Sequence, residues 1–97
     1  LLNSEFVREH AGYFAERVRD RVGEDPNAQI KEIYRLSLAR EATLEEIELS
    51  CRFLRDQAKS YSGTGTFKIR SPEDAGRLAL VDLCQAVLAL DEFVYVD

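Results

Sequence analysis

Asp82 is the residue whose position most invites chemistry. It lies inside "LALVDLCQAVLAL" (residues 78–90), the longest apolar stretch of the chain, with Gln85 one helical turn further on. A carboxylate in such surroundings needs a cation or several hydrogen-bond donors to keep its charge. The preferred expectation is an interhelical pair with Arg35 or Arg40, so that Asp82, Gln85, Arg35 and Arg40 form a candidate buried polar network. The functional alternative is a perturbed acid that lines a site.

Other chemistry-bearing residues are sparse. His10 is the single histidine; at a helical apolar position it reads as a packing residue, and no Ser or Cys is placed beside it for nucleophilic attack. Cys51 and Cys84 sit in separate apolar runs and read as packed thiols, with one interhelical disulfide as the alternative. "SGTGTFKIR" (residues 62–70) carries glycines and threonines, as phosphate loops do. It follows a helix rather than a strand, and its Lys68 stands between Phe67 and Ile69, so it reads as a connector with both apolar residues tucked onto the bundle. The oxygen-ligand spacing of a calcium loop is missing. No catalytic, cofactor-binding or metal-ligating residue is therefore assigned.

Four helices must position these groups. The first starts near Ser4, with Phe6, His10, Phe14, Val18 and Val22 at spacing four, and stops at Gly23. Asp25 caps the second, with Pro26 at the first helical position, and Ile30, Ile33, Tyr34, Leu36 and Leu38 give it a broad apolar face. Thr43 and Glu46 form a capping box for the third, whose stripe runs Leu44, Ile47, Cys51, Leu54, Ala58 and Tyr61. Ser71-Pro72-Glu73-Asp74 opens the fourth, apolar nearly all round and therefore central. The closing "DEFVYVD" alternates in period two and is too short for a further helix. The fold class expected is all-α, a compact bundle of about four helices with a Gly/Thr-rich loop between the third and fourth.

Composition bounds the function. A chain of 97 residues with 45% hydrophobic and 32% charged residues makes one modest helical domain. A net charge of −5 disfavours a nucleic-acid binder, and the arginines of the first helix are interleaved with acids as on a solvated face. The apolar run at 78–90 is too short to span a bilayer.

"LLNSEFV" (1–7) is nearly repeated as "LALDEFV" (88–94), which reads as helix-ending grammar used twice, with Ser4 and Asp91 as caps. Leu1 and Leu2 then read as the stump of an earlier helix. Together with Phe93 and Tyr95 they form a candidate docking surface.

Three segments, "LLNSEFVREHAGYFAERV", "IYRLSLAREATLEEIELSCRFL" and "LALVDLCQAVLALDEFVYVD", resemble in that order the C-terminal part of a planctomycete-specific family, domain of unknown function 1553. The closing "LxDLCQxxLxxxEFVYVD" is the most specific part. Ala39 and Ala42 stand where such sequences often carry Gly and Pro, and Ala89 where Asn is common. The resemblance implies a piece of a longer, exported multi-domain protein, in which any haem would belong to a neighbouring domain. It brings no catalytic residues.

The function expected is a noncatalytic structural or protein-interaction module, free of cofactors, whose partners are other domains of its polypeptide or a separate protein. Self-association through apolar surface left by truncation is a further possibility. The alternative is part of a redox or polysaccharide-active enzyme whose site lies mainly in other domains.

Overall fold

The structure is a computed structural model that describes residues 4–63 and 71–95, with side chains described for 5–63 and 71–90. It contains four helices and, among the described residues, no strand: α1 Ser4–Val22, α2 Pro26–Leu38, α3 Leu44–Ser62 and α4 Pro72–Tyr95. The Gly/Thr-rich segment 64–70, with Phe67 and Ile69, lies outside the described residues, as do Leu1 and Leu2.

Local signals fix the helix boundaries. Gly23 ends α1 at φ 81, and its N–H donates back to the Arg19 carbonyl at 2.8 Å. Two residues later the Asp25 carboxylate accepts from the Ala28 N–H at 3.0 Å and caps α2. At the start of α3 the Glu46 N–H donates to Thr43 Oγ1 at 3.1 Å, while the Thr43 N–H donates to Glu46 Oε1 at 2.9 Å. Ser71 Oγ accepts from the Asp74 N–H at 3.1 Å and caps α4.

The end of α2 has no glycine. Ala39 instead takes the left-handed conformation, φ 55 and ψ 36, and donates its N–H to the Arg35 carbonyl at 3.1 Å. A Cβ makes that conformation unfavourable.

The core gathers Ala11, Ala15 and Val18 of α1, Ile30, Ile33 and Tyr34 of α2, and Leu80, Leu83, Cys84 and Val87 of α4. From α3, Ile47, Cys51, Phe53 and Leu54 pack against it half-buried. α4 touches all three other helices, as its apolar circumference requires. It runs antiparallel to α1: Arg8 near the start of α1 meets Asp82 and Gln85, whereas Arg19 near its end borders a cleft with Pro72 and Gly76. α3 runs in the same sense as α4, with Leu54 beside that cleft and Tyr61 at Asp82.

Several expectations differ from the structure. Phe6 and His10 are exposed, their rings edge to face at 4.5 Å, whereas Phe14, Val18 and Val22 of the same stripe reach the core, joined there by Ala11 and Ala15. A strict spacing of four turns by about 40° per step around a 3.6-residue helix, so a stripe that meets the core from Phe14 to Val22 has turned off it at Phe6 and His10. Small alanines also let α4 approach. Leu44, 86% exposed, stands in solvent at the first turn of α3, so the buried stripe begins at Ile47; Leu36 is also exposed. α4 does not stop before "DEFVYVD" but continues to Tyr95. Asp91 is thus interior to a helix whereas Ser4 begins one, and the near-repeat does not mark two equivalent helix boundaries.

Replacing Ala39 with Gly removes the left-handed strain at the end of α2. Ala39→Gly is expected to stabilise the protein by ~0.5–1 kcal/mol, after the extra entropy that glycine gives the unfolded chain. Urea unfolding should show a raised midpoint with an unchanged slope; a lowered midpoint would contradict the strain argument.

Candidate functional site

Asp82 is the centre of a five-residue cluster built by three helices. Its Oδ1 accepts from Arg8 Nη1 of α1 at 2.5 Å, and its Oδ2 accepts from Gln57 Nε2 of α3 at 2.7 Å. Tyr61, one turn after Gln57, directs its hydroxyl at both oxygens, at 3.1 Å and 2.8 Å. Arg8 Nη1 also donates to Gln85 Oε1 of α4 at 3.0 Å. Helical spacing explains the set: Gln57 and Tyr61 are four apart, Asp82 and Gln85 three apart, so each pair shares a face.

The charge is held by these contacts. The Asp82 side chain is 13% exposed and that of Arg8 39% exposed, so the pair is partly desolvated. Burial works against the Arg8 charge, but the bonds to Asp82 and Tyr61 outweigh it and raise its pKa. Burial, and then the bond to the Asp82 carboxylate, push the Tyr61 hydroxyl up, so it remains a donor. Both carboxylate oxygens are occupied by donors, and the arrangement joins α1, α3 and α4 through one anion.

Arg35 and Arg40, expected here as partners, are committed elsewhere. Arg35 donates to Glu32 through Nε at 3.2 Å and Nη2 at 2.8 Å, and Arg21 of α1 donates to the same Glu32 through Nε at 2.6 Å. Arg40 lies beyond the left-handed turn and folds back onto α3, where it grips Glu46 with two bonds of 2.8 Å. Its guanidinium also lies 5.5 Å from the Tyr34 ring centroid. The structure thus brings Asp82 and Gln85 together and replaces both α2-region arginines with Arg8. Arg8 is legible only once α1 is read in the register Arg8, Ala11, Ala15, Val18.

The remaining candidates are dispersed. His10 is on the outside of α1, away from Asp82. Both cysteines are free thiols. Cys84 is fully enclosed, and burial pushes its thiol up to about 12. Cys51 donates its S–H to Asn27 Oδ1 at 3.2 Å. A cleft of about 210 Å³ lies at the start of α4, bordered by Arg19, Gln29, Leu54, Pro72 and Arg77, and neither Asp82 nor His10 lines it. Among the described residues no group of three metal-binding side chains occurs, and no helix is long and apolar enough to cross a membrane. Phe93 and Tyr95 belong to α4, but their side chains, like Leu1 and Leu2, lie outside the described residues. No family model, no curated protein and no solved structure matches the chain.

Two predictions follow from the ion pairs. Asp82→Asn leaves the part-buried Arg8 without its counter-charge, and a loss of ~2–3 kcal/mol is expected. A double-mutant cycle with Arg8→Met should return at least about 1 kcal/mol of coupling; additive losses would show that the two side chains are not tied. Arg40 first, and then the Thr43 N–H, hold Glu46 down to about 2. A carboxylate lowered on folding stabilises above its ordinary pKa, and this contribution is lost as pH falls through the window from 4.5 to about 2. Glu46→Gln should cost about 1 kcal/mol at pH 7 and much less at pH 2, measured by urea unfolding. An equal cost at both values would remove the charge from the explanation.

Proposed function

We propose that this chain is a noncatalytic helical module, a structural or protein-interaction part of a larger protein. The observation that carries this reading is the occupation of Asp82 by donors of the fold itself. The most chemically equipped cluster of the described residues spends both carboxylate oxygens on tying three helices together. A general base needs a lone pair aimed at a substrate proton, and the groups aimed at this carboxylate, Arg8, Gln57 and Tyr61, belong to the fold.

The docking surface belongs to the same reading. α1 and α4 are antiparallel, so the start of α1 and the last turns of α4 share one end of the bundle, where Leu90 is 53% exposed. This end, with the exposed Phe6 and Leu90, is the surface proposed to meet other domains of the polypeptide or a partner protein. The likeness to the planctomycete family, and with it an exported location, is part of the proposal and rests on the quoted motifs alone.

Titrating the labelled chain with the adjacent domains of its polypeptide tests this. Amide shifts are expected at residues 4–8 and 88–95, with the Asp82 cluster intact. A response centred on Asp82, Tyr61 and Arg8, accompanied by turnover that Asp82→Asn abolishes, would replace the module with a catalytic part.

A further inference from the structure

The charge around Glu32 does not cancel. Glu32 is nearly enclosed, its side chain 9% exposed, and two arginines from different helices converge on it. Arg21 Nε and Arg35 Nη2 share a single oxygen, Oε2, at 2.6 Å and 2.8 Å. Both arginine side chains remain half-exposed, at 52% and 53%. Their only bonds among the described residues are those to Glu32, which leaves both Nη groups of Arg21 and Nη1 of Arg35 open to solvent. One carboxylate therefore holds two guanidinium forks side by side and neutralises only one of them.

The surroundings carry charges of both signs. Arg17 lies one turn before Arg21 on α1, and Lys31 one turn before Arg35 on α2; both are exposed, and neither makes an ion pair among the described residues. Asp20 and Glu24 also flank Arg21 in the chain, so the surplus is that of the cluster itself, two guanidinium groups on one carboxylate, in a chain whose net charge is −5.

We propose that Arg21 and Arg35, held together by Glu32, form a receptor for a carboxylate on an acidic segment of a partner protein. The inference rests on the protein-interaction reading and names the partner's chemistry. A guanidinium presents parallel N–H groups that match a carboxylate in two-point contact. Buried Glu32 fixes the forks before binding, which reduces the ordering cost of association. The local surplus on an acidic chain selects a short acidic segment. A long polyanion such as nucleic acid would extend onto surface that repels it.

The probe is hexaglutamate, with hexaglutamine as control, added to the full chain while the arginine Nε–H resonances are followed. Hexaglutamate is expected to shift those of Arg21 and Arg35, and hexaglutamine to leave them in place. Arg21→Lys with Arg35→Lys keeps charge and counter-ion but removes the forks, and should weaken binding ~10-fold with helix content retained. Arg52→Gln with Arg55→Gln, on the exposed side of α3, removes as many charges as an Arg21→Gln, Arg35→Gln pair and should change binding less than two-fold. Unmoved Arg21 and Arg35 signals, or an equal loss on altering Arg52 and Arg55, would overturn the proposal. If adjacent domains still perturb residues 88–95 while hexaglutamate is ignored, the receptor is refuted and the module reading stands.

Discussion

A carboxylate inside the most apolar helix of a small protein has to be compensated, and the arrangement of the bundle follows from how Asp82 is compensated. Its three donors, Arg8, Gln57 and Tyr61, come from α1 and α3, so neither helix can slide along α4 without leaving a buried charge short of donors. Apolar packing alone sets no such register, because alanines and leucines tolerate small shifts. The anion therefore supplies specificity to a core whose α1 contribution is mainly Ala11, Ala15 and Val18. The net energetic gain of such a pair is modest, since desolvation offsets much of the attraction.

The same logic recurs at the other junctions. Glu32 joins α1 to α2 through Arg21, and Glu46 joins the α2–α3 turn to the capping box through Arg40. The α1–α2 junction, the α2–α3 turn and the contacts of α4 with α1 and α3 thus each have an acid whose partner comes from a neighbouring element. This use of ions suits a domain of 97 residues, in which little of the chain can be fully buried.

The all-α class, the four helices and three of their caps were legible because they depend on local chemistry. Asp25 with Pro26, Thr43 with Glu46, and Ser71 with Pro72 each act within one turn. The buried polar centre was legible from Asp82 and Gln85, because an acid in an apolar run needs compensation wherever the chain goes. Its partner was not, since Arg8, Arg35 and Arg40 are equivalent until the helices are arranged in space. The α1 reading held for Phe14, Val18 and Val22 and failed at its first two positions for a related reason. Phe6 and His10 looked like core by type, while the small face that α4 needs consists of alanines that carry little signal. The left-handed Ala39 gave no sign in its own side chain.

The bond between Arg8 and Asp82 spans 74 positions of the chain. During synthesis the first helix leaves the ribosome long before its counter-charge exists. Arg8 loses nothing by waiting, because a lone guanidinium is well solvated; the acid that requires it is made last, when its partner is already present. Closing so long a loop is entropically costly and contributes only when α4 docks. The order of translation thus spares the chain an uncompensated buried charge, and it makes arrival of the final helix the event that locks the domain.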